Sequence, residues 1–116
     1  MKEPLYYIEK DALVTAAFLE DVKFFEQLVA DGADLNCQDE IGQTPLHAAA
    51  EQGRTKLVRR LLNLGAQPNV RDFDGDTPLD VASFREHTEI VVILESSGAR
   101  RQADLPPRNF LFTNVS

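Results

Sequence analysis

The chain has 116 residues, with 19 acidic and 12 basic side chains and a formal net charge of −7. That length suits one domain with its own core, and the acidic balance argues against a protein that tracks nucleic-acid phosphates while allowing a partner with a basic surface. Cys37 is the only cysteine, so no internal disulfide forms, and a reducing, cytoplasmic setting is expected.

The first residues, MKEPLYYIEKDALV, hold no long apolar run, and no stretch reaches the roughly 18 apolar residues of a spanning helix. The expectation is a soluble protein with no membrane partner, monomeric in isolation. Further along, residues 42–53 read GQTPLHAAAEQG and residues 75–86 return as GDTPLDVASFRE. The offset is 33 residues, and the same step relates Gly32, Gly65 and Gly98, Ala33, Ala66 and Ala99, Asn36 and Asn69, Asp39 and Asp72, and Gly42 and Gly75. So many coincidences fix a register.

Thr44 supplies an N-cap ahead of Pro45, whose missing N–H costs nothing at a first helical position, so a helix starts there. It runs through Leu46, Ala49 and Ala50, whose small side chains admit a close neighbour, and stops near Gly53. A second helix over about residues 55–64 gathers Leu57, Val58, Leu61 and Leu62 on one face and turns Lys56, Arg59 and Arg60 to water. Helices this short are marginal alone, so each pair must bury its apolar stripe against the next.

The period and the TPLH motif resemble the ankyrin-repeat family. The resemblance covers residues 7–104 and implies an all-α solenoid of about three stacked helix-turn-helix repeats with short β-turn fingers, over residues 7–39, 40–72 and 73–104. Residues 40–72 match almost fully, while residues 73–104 carry Asp80 for the histidine and Glu86 for the glycine after the first helix. Repeat one replaces the TPLH turn with Asp11-Ala12-Leu13-Val14, yet AAFLEDVKFFEQLVADGADLN keeps the family's second half. Residues 1–104 are expected to form one domain with degenerate terminal repeats, followed by a tail, residues 105–116.

Glu95 stands where repeat two has Leu62, as suits a cap facing water. Val92 and Ile93 replace Arg59 and Arg60, however, so the last helix is expected to show apolar surface. Beyond Pro106-Pro107, either Phe110, Leu111 and Phe112 fold back on that surface, or the tail is flexible or engages a partner.

The resemblance implies that His47 bonds the threonine of its own turn and nearby backbone. Asp80 fills the same place as a carboxylate at a helix N-terminus, so Thr44, His47, Thr77 and Asp80 are read as turn-holding residues. Cys37 has no histidine placed to activate it. His87, opening a second helix, is expected to face solvent or cap that helix, and a lone histidine makes no zinc site. The DFDGD stretch looks like a calcium loop but offers Thr77 and Ser83 where an EF-hand needs glycine and glutamate. Asn36 and Asn69 are expected to close turns through local backbone bonds. No catalytic residue, metal or cofactor is expected, and the chain is read as non-enzymatic.

Function then falls to the concave face of the stack, built from finger tips and first helices. By resemblance the variable positions are Glu40, Ile41, Gln43, Glu51 and Gln52 in repeat two, and Phe73, Asp74, Asp76, Phe84 and Arg85 in repeat three. In repeat one they are Tyr7, Ile8, Lys10, Phe18 and Leu19, the last two serving equally well as parts of an N-terminal cap. Exposed Ile41, Phe73, Phe84 and Phe18 are the informative positions, because the fold does not require them; aromatic anchors ringed by carboxylates match the anatomy of a binding hot spot. Asp39, Glu40, Glu51, Asp72, Asp74 and Asp76 are expected on this side, with Arg54, Lys56, Arg59 and Arg60 on the back. The reading is a non-catalytic module that binds a basic protein partner. The alternatives are an immunity or inhibitor protein that occludes a toxin or enzyme, and a structural subunit of a homo-oligomer or larger complex.

Overall fold

A computed structural model of the chain describes residues 11–106. Repeat one's expected start, with Tyr7, Ile8 and Lys10, and the tail's Phe110, Leu111 and Phe112 lie outside the described residues. Six α-helices follow in antiparallel pairs: α1 Ala12–Leu19 with α2 Val22–Ala30, α3 Pro45–Glu51 with α4 Thr55–Asn63, and α5 Pro78–Phe84 with α6 Thr88–Ser96. A 3-10 turn, Gln102–Asp104, follows α6.

Side-chain size explains how the pairs stack. The first helices α1, α3 and α5 meet through Ala16, Ala17, Ala48, Ala49, Ala50 and Ala82, all buried, and alanine lets helix axes approach closely. The second helices carry the bulk, namely Phe25, Leu28, Leu57, Val58, Leu61, Ile90 and Leu94, and so stand further apart. One layer is tight and the other wide, which curves the stack with the first helices on the inside.

The helix starts divide into two chemistries. Thr44 and Thr77 each cap the helix that follows, accepting the backbone N–H of the residue three positions on, with proline at the first helical position. Repeat one has Asp11 at that position, with no side-chain cap bond. At the helix ends, Gly53 takes a left-handed φ of 72°, while its register mates Glu20 and Glu86 are held at 56° and 61°. A side chain in that region costs about 1–2 kcal/mol, part of which glycine returns as backbone entropy. Glu86→Gly is therefore expected to stabilise the fold by about 0.5–1 kcal/mol, read as a raised urea midpoint.

Ile93 departs from expectation. It is 9% exposed and belongs to the core, so α6 leaves only Val92, at 56%, as a large apolar side chain in water. Substituting Arg60 by Ile93 brings an aliphatic chain that packs inward where the arginine reaches out to Glu26.

Candidate protein-binding face

Each finger is closed by one aspartate. Asp39 Oδ1 accepts the backbone N–H groups of Ile41 at 3.0 Å and Gln43 at 2.8 Å, and its own N–H donates to the Gln43 carbonyl. Asp72 repeats this with Asp74 at 3.0 Å and Asp76 at 2.8 Å. Two donors on one oxygen hold a turn that a neutral side chain would not fix as strongly. Asp72 is itself buried, so the DFDGD stretch is occupied with its own backbone.

The two fingers are joined directly. Phe73 N–H donates to the Ile41 carbonyl at 3.0 Å, and the Gln38 amide bridges the Gly42 and Arg71 carbonyls at 2.8 and 3.1 Å. The approach is close enough that a Cβ on Gly42, whose φ is 84°, would lie 2.6 Å from the Phe73 nitrogen. Gly42 is thus a packing requirement, and with it Ile41 and Phe73 are set side by side at the tips, 59% and 62% exposed.

His47 works behind the tips. Its Nδ1 accepts the Thr44 backbone N–H at 3.1 Å and the Thr44 hydroxyl at 2.8 Å, and Nε2 lies 2.8 Å from the Asp76 carbonyl. A backbone N–H only donates and a carbonyl only accepts, so the ring proton sits on Nε2. The imidazole ties the start of α3 to the next finger and has no ring nitrogen left for catalysis. Asp80 does the reverse. Its Oδ2 accepts Thr77 N–H at 2.9 Å and Gln102 N–H at 2.8 Å, while the Thr77 hydroxyl lies 2.7 Å from the Arg100 carbonyl.

Burial holds His47 below its ordinary range, against the pull of the Asp76 carbonyl and of Asp72, Asp39 and Asp76. The folded state therefore favours the neutral ring, while the unfolded chain protonates near its ordinary value of 6.5. This contribution is complete above that value and is lost as pH falls through the lowered folded one. Urea midpoints should drop between about pH 7.5 and about pH 5.5, and the drop should shrink in a His47→Gln variant. Asp76 shifts oppositely, raised by burial and by Asp72, Asp80 and Asp74, as expected where carboxylates crowd one finger. Burial and Asp34 push the Cys37 thiol up to about 11, which leaves no thiolate nucleophile at neutral pH.

Several side chains do work that local reasoning did not foresee. Asn36 and Asn69 do not close their own turns: Asn36 Oδ1 accepts Gln67 N–H at 2.8 Å and Asn69 Oδ1 accepts Arg100 N–H, each in the following repeat. His87 stands at the N-cap position of α6 but makes no side-chain cap bond; it is half-buried, and its Nε2 lies 2.9 Å from the Glu51 carbonyl at the end of α3. Arg54, its register mate, reaches the Phe18 carbonyl at 3.3 Å and Glu20 at 3.5 Å. The 33-residue step relates these bonds to one another: Asn36–Gln67 and Asn69–Arg100 both span 31 residues, and Arg54–Phe18 and His87–Glu51 both span 36.

The predicted binding residues fall into two groups. Glu40, Ile41, Phe73 and Asp74 are exposed at the tips, with Asp76 half-buried behind them. Phe18, Leu19, Glu51, Gln52, Phe84 and Arg85 lie at first-helix ends, where Phe84 is 84% exposed, Leu19 62% and Phe18 41%. Gln43, Glu51 and Arg85 link the groups: the Gln43 amide lies 3.4 Å from one Glu51 oxygen and Arg85 bonds the other at 2.8 Å. The charges of Glu51 and Arg85 are thus largely spent on each other. The back is paired too, with Arg60 gripping Glu26 through two 2.9 Å bonds and Arg59 3.7 Å from Glu89. Arg60 lowers the Glu26 carboxyl in turn. No helix among the described residues is long and apolar enough to cross a membrane.

Comparison with known proteins agrees with this geometry. A curated protein from Medicago truncatula, "Protein VAPYRIN-LIKE", is 43% identical over 49 residues, which make up 42% of this chain and 11% of that protein. The chain thus aligns with only a small part of its relative's length. The family profile described as "Ankyrin repeats (3 copies)" matches residues 13–103, which take in both fingers and the six helices but for the first residue of α1, so the chain belongs to the ankyrin-repeat family.

Proposed function

We propose that this chain is a non-catalytic module that binds one protein partner, with a basic surface, through its finger tips and first-helix ends. The observation that carries the reading is the exposure of Ile41, Phe73 and Phe84, at 59%, 62% and 84%. The Phe73 ring rests by one edge on Gly42, yet all three side chains leave most of their surface in water, and exposed aromatics of this size are the anchors of protein interfaces. Around them Glu40, Asp74 and Asp76 add negative charge that, among the described residues, no arginine offsets as Arg85 offsets Glu51. Such a rim steers a basic partner and makes its association rate fall with salt. Repeat stacks of this family are generic protein-interaction modules, and that general role supports the reading.

A photoreactive side chain at Phe73 tests it against one at Lys56, on the exposed back of α4. Crosslinking of the same basic protein from Phe73 alone, weakened by salt, is the expected result. Equal crosslinking from both positions contradicts the proposed surface. A basic toxin or nuclease among the products would make occlusion the purpose of binding.

A further inference from the structure

The 33-residue step places Phe18, Glu51 and Phe84 at one position of three successive repeats. Glu51 and Phe84 are the last residues of α3 and α5, and Phe18 is the last but one of α1. These first helices stack on one another through buried alanines, which sets neighbouring axes about 8–10 Å apart. The three side chains therefore form a row along the first-helix ends, with an aromatic ring at either end and a carboxylate between them. The rings are 41% and 84% exposed, whereas the Glu51 side chain is only 20% exposed.

That carboxylate is held in place. His87 Nε2 lies 2.9 Å from the Glu51 carbonyl, which fixes the end of α3, and the Gln43 amide lies 3.4 Å from Oε1. Oε2 accepts Arg85 Nη2 at 2.8 Å. The two members of this ion pair differ in burial, because the Arg85 side chain is 50% exposed against 20% for Glu51. The acid is the recessed, positioned member, and the arginine closes over it from the solvent side. An ion pair with one arm this exposed is weakly held, so a second guanidinium or ammonium can take the place of Arg85 at little cost. Glu51 is then a cation receptor that the free chain keeps filled with its own arginine. The negative charge of Glu40, Asp74 and Asp76 at the tips raises the local concentration of an incoming cation.

The row also sets a spacing. A polyproline-II chain has three residues per turn and repeats its face at roughly 9.3 Å, in step with the repeat interval of about 8–10 Å. A β-strand repeats its face at roughly 6.6 Å and falls out of step. Along a polyproline-II segment, apolar side chains at the first and seventh places meet the two rings, and a basic side chain at the fourth meets Glu51.

We propose that Glu51 receives an arginine or lysine of the partner, carried on a polyproline-II segment with apolar residues three places to either side, and that Arg85 is the stand-in displaced on binding. This inference rests on the partner-binding reading above and gives that partner its chemistry.

The probe is a fluorescently labelled heptapeptide, Leu-Pro-Pro-Arg-Pro-Pro-Leu, titrated by anisotropy and too short to form a stable helix. Arg85→Gln, with helicity checked by circular dichroism, is expected to bind it several-fold more tightly than the wild type. The gain should vanish when Glu51→Gln is added, and when the peptide arginine is replaced by uncharged citrulline. Unchanged or weaker binding by Arg85→Gln overturns the inference. So does an equal gain from Arg59→Gln on the back, since net charge alone would then explain it. Binding that is lost in Phe84→Ala yet indifferent to Glu51 and Arg85 overturns the cation receptor and leaves the partner surface standing. Undetectable binding to every variant also overturns the inference, and crosslinking from Phe73 then decides the surface by itself.

Discussion

Leu61→Ala is expected to cost about 2–5 kcal/mol and to leave much of the chain unfolded at modest urea concentrations. Leu61 is fully buried in α4, the second helix of the central repeat. Truncation removes its transfer energy and leaves a cavity that short helices held on both sides cannot easily collapse. Its position multiplies the consequence, because a repeat stack holds together through neighbour contacts and the middle unit serves both ends. Leu62→Ala is the control. Leu62 is only half-buried, so its substitution should cost clearly less. Urea midpoints that rank the two variants the other way would show that the helical register is wrong.

His47→Asp is the second large effect, expected at about 2–4 kcal/mol. Thr44 and Thr77 open equivalent helices, so histidine and aspartate look interchangeable at the third position. They are not. His47 must present a proton to the Asp76 carbonyl, whereas Asp80 must receive one from Gln102. A carboxylate at position 47 would set acceptor against acceptor in a buried site, and bury a charge there. The mirror substitution, Asp80→His, sets an N–H against an N–H but at a half-exposed position, so it should cost less. Equal, small losses for both variants would show that neither contact holds the stack.

This contrast also shows where the sequence was legible. The cap at Thr44-Pro45, the core positions Leu57, Val58 and Leu61 and the glycine after α3 follow from local rules, and each could be read directly. The exposure of Ile41, Phe73 and Phe84 followed from register. What stayed hidden were bonds that leave one repeat for the next. Asn36 looks like a turn former, and only its partner at Gln67 shows otherwise. Glu51 reads as a free acid until Arg85 is found 2.8 Å away. Ile93 reads as surface by analogy with Arg60, because the register fixes a residue's place along the helix but not whether its side chain reaches out or folds in.

The central claim is that the tips and first-helix ends are the working surface. It is tested most directly by affinity capture from the native source with the wild type and an Ile41→Ala/Phe73→Ala/Phe84→Ala variant. All three residues are well exposed, so the variant should keep the wild-type urea midpoint. A protein retained by the wild type and lost by the folded variant is the predicted result. Retention of the same protein by both would contradict it and place the binding surface elsewhere on the molecule.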